Sequence, residues 1–226
     1  MTDSHCHVSC GDPSVREFLI GRDFIGVHPW EGLEGLGGLE GLEGLGGWLR
    51  DKLTNPNLFL GVGEIGLDRL KTREISPRMR EVFETQLRLA LEFGRPVVLH
   101  GTKCWGQVVK TIQTFQTFQT FQTSQTFLFH GFSRSDGLIP DIVALNGYIS
   151  VGPAVLNDHA VNYRELVKKI PPARLLLETD RTVENAADCP SVRDVAAEVA
   201  KLRDLSLSEV EILTDRNADN FLRTRH

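Results

Sequence analysis

Two histidines near the start of the chain have the spacing of a metal site. His5 and His7 are two residues apart, and Asp3 stands just before them. Successive side chains of a β-strand point to opposite faces, so residues two apart point the same way and can hold one cation. On a helix the two side chains would point about 200° apart and could not share an ion. The pair therefore indicates metal ligands on a strand.

Further histidines and carboxylates occur later in the chain, and each ends a short apolar run. Such runs are typical of buried parallel strands, which are apolar throughout and become polar at their carboxyl ends. The repetition of this pattern predicts a metal-dependent enzyme. The residues concerned are Glu64, His100, His130 and Asp180.

The apolar runs alternate with amphipathic segments, which predicts a parallel sheet with right-handed helical crossovers. Only 20 residues separate His7 from His28, which is too few for two complete βα units. The sequence therefore predicts an α/β fold, a TIM-like (β/α) barrel that is seven-stranded or distorted because one early βα unit is missing. The predicted strands are the segment around His5, then Phe24–His28, Leu58–Glu64, Pro96–His100, Phe127–His130, Gly147–Gly152 and Arg174–Glu178.

Four helices are predicted from apolar residues at helical spacing. They are Pro77–Phe93, Asn157–Lys169, Val192–Leu202 and a last helix capped by Ser208.

Two low-complexity stretches interrupt the predicted barrel, which we expect to be a single domain over residues 1–226. Residues 31–47 are rich in Gly, Glu and Leu and contain most of a nine-residue duplication. This glycine content predicts a loop, with helix possible toward Trp48. Residues 113–126 repeat Gln-Thr-Phe, and this insertion either extends a helix with Phe115, Phe118 and Phe121 on one stripe or forms a linker.

Composition argues against several classes of protein. The net charge is −5, so we expect no broad, nonspecific coating of nucleic acid. An apolar run of about 18 residues, long enough to span a membrane, does not occur, and no signal peptide is expected before the first motif. Four scattered cysteines fit free thiols in a reducing cytoplasm. A zinc pair formed by Cys6 and Cys10 is the less favoured alternative.

Six short motifs, in this order, resemble those of the TatD family of metal-dependent hydrolases, in a compact branch with a shortened N-terminal region. The resemblance covers almost the whole chain except the two repeats, and Asn217 and Phe221 match the closing helix of the family. The motifs are Asp3–His7, Gly26–Trp30, Gly63–Asp68, Pro96–His100, Leu128–Ser133 and Leu176–Asp180.

This resemblance implies a TIM-like barrel with two divalent ions, Mg, Mn or Zn, at the carboxyl mouth of its strands. By resemblance, His5 and His7 hold one ion together with Asp180, and His100 and His130 hold the second. Glu64 would bridge both ions. Glu64 and Asp180 would be catalytic, with Asp180 able to take a proton from the attacking water.

The same resemblance implies hydrolysis of phosphodiester bonds, as in a deoxyribonuclease that acts as a 3′-5′ exonuclease on DNA. The alternative is a metal-dependent hydrolase of a small ester, amide or phosphate, because metal chemistry does not fix the substrate. We expect a monomer. The candidate substrate contacts are His28, Lys103, Trp105, Phe132, Arg134 and Arg181.

Three acidic residues are expected to support the site rather than bind an ion. Asp3 would orient a histidine, and Asp68 and Glu178 would form hydrogen bonds around the ligands. The chain also departs from the family pattern, because Arg181-Thr182-Val183 follows Asp180 where a short residue and a proline are common. The acidic loop after Trp30 would repel a polyanion, which favours the small-substrate alternative.

Overall fold

Eight short parallel strands form the centre of the molecule. The structure is a computed structural model that describes residues 1–31, 41–71, 73–118 and 125–223, with the side chains of 117 and 118 excepted. The strands are β1 (Thr2–Cys6), β2 (Arg16–Leu19), β3 (Phe24–Ile25), β4 (Gly61–Asp68), β5 (Val97–Thr102), β6 (Phe127–Phe129), β7 (Gly147–Val151) and β8 (Leu175–Leu177).

The strands follow one another around a barrel-like ring. Strands β3 to β8 pair in sequence order into a six-stranded sheet, and β1 pairs with β2. Ile20, just after β2, forms an isolated bridge with Phe24 of β3. At the other edge, the amide of Asp180 donates to the carbonyl of His5 at 3.0 Å. The predicted TIM-like α/β class is therefore confirmed, although the two sheets do not pair continuously in the described part of the chain.

The first two connections of the ring contain no helix. Residues 7–15 and 20–23 are all described, and they join β1 to β2 and β2 to β3 without a helical turn. The predicted count of seven strands was one too low, because Arg16–Leu19 was not recognised. Arg16 and Glu17 make the first half of this strand polar, and its apolar run is short, from Phe18 to Ile20.

Helices cover the outside of the strands, and among the described residues none is long and apolar enough to cross a membrane. The last helix begins after Ser206 rather than at the predicted cap Ser208, because Ser206 and Glu209 form a reciprocal capping box. The helices are α1 (Gly41–Thr54), α2 (Pro77–Glu92), α3 (Trp105–Phe118), α4 (Ile139–Ala144), α5 (Val161–Lys169), α6 (Val192–Arg203) and α7 (Leu207–Leu222).

The Gly/Glu/Leu segment is helical where the structure describes it, so the loop prediction was wrong for residues 41–47. Leu45, Leu49 and Leu53 recur every four residues in α1 and are buried. Packing of this stripe outweighs the low helix propensity of the glycines. The remainder of the predicted loop, 32–40, lies outside the described residues.

The Gln/Thr/Phe repeat extends α3 as far as Phe118, as one of its two interpretations predicted. Phe115 is half-buried and packs against the core. The side chains of Phe118 and Phe121 lie outside the described residues, as do positions 119–124.

A small apolar cluster fills the interior of the barrel. It includes Val98 of β5, Leu128 of β6 and Leu176 of β8. Phe221 of α7 belongs to the same cluster, and the carbonyl of Phe221 accepts a hydrogen bond from Thr126, which precedes β6. The end of α7 therefore closes the amino ends of the strands and leaves the opposite end for polar side chains.

Candidate metal centre

Alternation along the strands places polar side chains next to the apolar cluster, on its carboxyl side. His100 and His130 come two residues after Val98 and Leu128 and therefore lie on the same, interior face. The strands are parallel, so these side chains emerge together at the carboxyl end of the barrel. The six predicted ligands, all of which meet in this layer, are His5, His7, Glu64, His100, His130 and Asp180.

One group of ligand atoms surrounds oxygen Oε2 of Glu64. Nε2 of His5 lies 3.5 Å from this oxygen and 3.5 Å from Oδ1 of Asp180. Nε2 of His7 lies 3.6 Å and 3.7 Å from the same two oxygens. Donors placed 2.0–2.2 Å from one tetrahedral ion would be about 3.4 Å apart. The spacing of these four side chains therefore fits a single divalent cation.

The ring of His5 supplies a second observation in favour of a cation. Its side chain is fully buried, and neither ring nitrogen has a hydrogen-bond partner among the described residues. A buried polar atom without a partner costs about 1–3 kcal/mol. A cation bound by Nε2 would satisfy one of these nitrogens.

A second group faces the other oxygen of Glu64. Nδ1 of His100 lies 2.6 Å from Oε1, and Nε2 of His130 lies 3.0 Å from it. His28 joins this side, with Nε2 at 3.6 Å from Oε1 and 3.3 Å from Nδ1 of His100. The rings of His5 and His130 stack at 3.8 Å, which holds the two groups side by side. Each carboxylate oxygen of Glu64 thus has its own set of imidazoles.

Buried carboxylates fix the orientation of both histidines of the second group. Nε2 of His100 lies 2.9 Å from Oδ2 of Asp68, so its Nδ1 points toward Glu64. Nδ1 of His130 lies 3.4 Å from Oε2 of Glu178, so its Nε2 points the same way. Carboxylates behind histidine ligands commonly set the tautomer and raise ligand basicity. The supporting roles expected for Asp68 and Glu178 agree with this geometry.

The turn after β8 positions Asp180 at the rim. Its backbone is left-handed, with φ at 49°, a conformation that non-glycine residues adopt only when the surroundings hold it. Asp3 supports this turn by accepting hydrogen bonds from the amide and the hydroxyl of Thr179 at 3.0 and 2.6 Å. Asp3 therefore orients the ligand-bearing turn. Its hydrogen bond with His5 comes from the backbone amide, at 3.3 Å, rather than from the imidazole ring that it was expected to orient.

Opposite charges and burial together set the protonation states of the candidate ligands. Burial alone would raise the pKa of Glu64, but His130, His5 and the hydrogen bond to His100 hold that pKa well below its ordinary value. Burial would likewise raise the pKa of Asp180, but the neighbouring rings of His5, at 3.5 Å, and His130 outweigh burial and lower that pKa. Burial and the neighbouring His130 lower the pKa of His5. The carboxylates are therefore ionised and His5 is neutral near pH 7, which are the forms that bind cations.

His130 behaves differently from His5. Burial would lower its pKa, but the carboxylates of Glu64 and Glu178 together raise it well above the ordinary value. A cation bound at Nε2 would therefore take the place of a proton that Glu64 otherwise favours.

The ligands open into two cavities that meet at Asp180. One cavity has a volume of about 720 Å³, and its lining includes His7, Glu64 and His130. The other, of about 1070 Å³, extends past Arg134 toward α5. Asp180 lines both, and its side chain is 49% exposed. A substrate longer than one small group can therefore extend to either side of this carboxylate.

The predicted substrate contacts are only partly at the mouth. Trp105 and Phe132 are 4% and 0% exposed and pack against each other in the core, so the prediction that they contact substrate was wrong. Lys103 is exposed but lines neither cavity. Arg134 lines the larger cavity, and His28 lines the smaller one beside Glu64.

Two further expectations concern residues near the site. Arg181 donates to the carbonyls of Ala186 and Cys189 and so supports the loop after β8. Cys6 is buried and Cys10 is exposed, and both are free thiols. Among the described residues, the group of possible ligands that contains Cys6 is completed by Asp3 and Glu17 rather than by Cys10.

Sequence reasoning assigned no role to Trp30, which the structure places at the mouth. This indole is 48% exposed and lies edge-to-face against His28, with ring centroids 4.7 Å apart. Its position two residues after His28 was the available signal.

Known proteins resemble this chain over most of its length. The family model of TatD-related DNases matches residues 21–223. The chain is 27% identical over 206 residues to the uncharacterized metal-dependent hydrolase YabD of Bacillus subtilis, covering 88% of this chain and 76% of that protein. It is 27% identical over 122 residues to the 3′-5′ ssDNA/RNA exonuclease TatD of Edwardsiella piscicida, covering 54% of this chain and 45% of that one.

A solved structure shows the same fold. The Escherichia coli protein YjjV, described as a TatD homologue, superposes with a TM-score of 0.73 at 22% identity, covering 97% of this chain and 96% of that chain. The match to the family model spans most of the sequence, from residue 21 to residue 223, and includes Glu64, His100, His130 and Asp180. The chain therefore belongs to the TatD-related DNase family.

Proposed function

We propose that this protein is a divalent-metal-dependent phosphodiesterase, a deoxyribonuclease that removes nucleotides from the 3′ end of single-stranded DNA. The observation that carries the proposal is the position of Glu64. Its Oε2 faces His5 and His7, and its Oε1 faces His100 and His130. A carboxylate with a separate set of donors on each oxygen suits two cations held side by side, as in enzymes that cleave phosphodiesters.

In this proposal each side of Glu64 holds one ion. The first would be held by His5, His7 and Asp180, and the second by His100 and His130. Imidazole nitrogens suit zinc and manganese, whereas the carboxylates also suit magnesium.

The chain's own groups would perform two tasks in hydrolysis. Bound divalent ions supply positive charge that activates water and neutralises phosphate oxygens. Asp180 has an ionised carboxylate that is half exposed to both cavities, so it can accept the proton of the attacking water. Glu64, His100 and His130 are buried, so the inner side of the site is shielded from bulk water.

Three observations support a nucleic-acid substrate. The related protein of Edwardsiella piscicida is named as an exonuclease on ssDNA and RNA. The two cavities that meet at Asp180 can accept a strand on either side of the cleaved bond. Arg134 and Lys71 each line one of these cavities and supply cationic groups for phosphates.

One observation favours the alternative, a hydrolase of a small ester, amide or phosphate. Glu31 and Glu184 line the smaller cavity, and Asp136 lines the larger one. These carboxylates oppose the approach of a polyanion, and the whole chain has a net charge of −5. A small neutral substrate would not meet this repulsion.

The deciding experiment compares substrates and labels. Protein stripped of metal with EDTA is reloaded with Mg²⁺, Mn²⁺ or Zn²⁺ and incubated with single-stranded DNA labelled at the 5′ end or at the 3′ end. We expect early release of the 3′ label and gradual shortening of the 5′-labelled strand. Turnover of a small aryl ester without any DNA product would establish the alternative.

Two variants test the role of the ligands. Glu64→Gln and Asp180→Asn keep the shape of each side chain but remove its charge, and we expect each to abolish hydrolysis while circular dichroism shows a folded protein. Ile212→Ala is the matched control, because Ile212 is an exposed residue of α7 that lines neither cavity. Full activity in either ligand variant would exclude the proposed centre. Cytoplasmic location and a monomeric state stay predictions.

A further inference from the structure

Trp30 is a large aromatic side chain exposed beside the metal ligands. Its indole is 48% exposed and lines the smaller cavity together with Glu64 and His130. The centroid of its ring lies 4.7 Å from the ring of His28 and 5.8 Å from that of His100. Trp105, by contrast, is buried, and Trp48 is half-buried in α1. Trp30 is thus the tryptophan that a molecule in the cavity can reach.

The indole is held in place rather than free to turn. Asp68 accepts a hydrogen bond from the Trp30 side chain, and the same carboxylate also accepts the amides of Leu70 and Lys71 at 2.7 and 2.8 Å. The rings of His28 and His100 meet it edge-to-face, at interplanar angles of 76° and 74°. A rigid aromatic side chain loses little conformational entropy when a ligand binds to it.

The side chain of Lys71 places a cationic group next to the Trp30 ring. Nζ of Lys71 lies 4.9 Å from the centroid of the Trp30 ring, within the range of a cation–π contact. Lys71 also lines the smaller cavity. An exposed aromatic face next to a lysine is the combination that binds single-stranded nucleic acid, because the ring stacks on a base and the ammonium meets a phosphate.

We propose that Trp30 is a stacking subsite for the unpaired base adjacent to the phosphodiester that is cleaved, with Lys71 contacting the neighbouring phosphate. This inference rests on the proposed nuclease function and names how that site recognises its substrate. Stacking engages the face of a base rather than its hydrogen-bonding edge, so the subsite accepts all four bases. It requires a base that is free of its partner strand, which selects single strands over duplexes.

The test measures how much the base itself contributes to kcat/KM. Three single-stranded oligonucleotides of identical sequence are compared: one intact, one with an abasic residue at the 3′ end and one with an abasic residue at the next position. Removing a stacked base costs about fivefold to 150-fold in kcat/KM. We expect the native enzyme to show such a loss with one of the two abasic strands, and Trp30→Ala to show none.

Two further variants separate stacking from folding. Trp30→Phe retains an aromatic face, so we expect it to keep most of the discrimination between intact and abasic strands. Ile212→Ala replaces an exposed apolar residue that lines neither cavity, and it should behave as the native enzyme does.

A binding measurement keeps the subsite testable without turnover. Tryptophan fluorescence is titrated with dAMP in the native protein and in Trp30→Phe, where we expect quenching in the first and its loss in the second. Cleavage of intact and abasic strands at equal rates, with no quenching by dAMP, would overturn the subsite and leave the nuclease proposal standing. Quenching at Trp30 without cleavage of DNA under any metal would overturn the nuclease proposal and leave Trp30 as a site that binds nucleotides.

Discussion

Replacing Glu178 by glutamine should weaken the second ion site without removing any ligand. Oε2 of Glu178 lies 3.4 Å from Nδ1 of His130, and the same oxygen accepts a hydrogen bond from Ser150. Oε1 accepts the amide of Gly131 at 2.8 Å. In Glu178→Gln, the amide oxygen can keep the bond from Gly131, so the amide nitrogen must occupy the position of Oε2.

The expected loss follows from the tautomer of His130. The carboxylate favours a proton on Nδ1 and leaves the lone pair of Nε2 free for a cation. An amide NH₂ facing Nδ1 is a donor, so it favours the other tautomer, with the proton on Nε2. Loss of such a supporting carboxylate typically costs 10- to 100-fold in metal affinity, or about 1.4 to 2.8 kcal/mol.

The assay is calorimetric titration of Mn²⁺ or Zn²⁺ into protein stripped of metal. In Glu178→Gln, we expect the affinity of one of the two binding steps to fall by this factor. The affinity of the step assigned to His5 and His7 should not change. Ser150→Ala is the matched control, because it removes a partner of Glu178 but leaves its charge on His130, and we expect less than about threefold change. Native affinity for both ions in Glu178→Gln would show that Glu178 does not control His130.

Three further outcomes are expected. Trp105→Ala should lower the free energy of unfolding, measured by urea titration, by about 3–5 kcal/mol. The reason is that Trp105 is buried in the core, with its ring centroid 5.5 Å from that of Phe132. An unchanged free energy of unfolding would contradict this placement. Burial raises the pKa of Asp3 from 3.8 to about 7, so the folded protein retains this proton more tightly than the unfolded chain does. As the pH rises from about 4 to 7, the free energy of unfolding of the metal-free native protein should therefore fall by about 4 kcal/mol more than that of Asp3→Asn. Parallel pH profiles of the two proteins in urea titrations would refute this prediction. Lys71→Met should lower the slope of log affinity for single-stranded DNA against log salt by about 0.7, measured by anisotropy, and an unaltered slope would show no phosphate contact.

The convergence of the candidate ligands could be predicted because strand geometry brings them together. His5 and His7 are two residues apart, and His100 and His130 each end an apolar run, so alternation and the common edge of parallel strands determine where these side chains point. The closing turn at Asp180 follows the same rule, although its left-handed backbone was not foreseen.

Other parts of the structure depend on packing between distant segments, which local patterns do not reveal. The glycines of residues 41–47 predict a loop, yet α1 forms because Leu45 and Leu49 are buried. Strand β2 begins with two charged residues, Arg16 and Glu17, and pairing with β1 holds it in place.

The substrate contacts show the same limit most clearly. An aromatic residue just after a strand can turn toward the mouth or toward the covering helices, and its type does not decide between them. Trp105 and Phe132 turn inward and pack beside Gly101, where a Cβ would meet the indole ring of Trp105. Trp30 stays at the mouth because Asp68 and the rings of His28 and His100 hold its ring there. Asp68 thus orients His100 with one interaction and Trp30 with another. The proposed base subsite and the candidate ligand His100 therefore both depend on one buried carboxylate, so changes at Asp68 should alter substrate preference and metal affinity together.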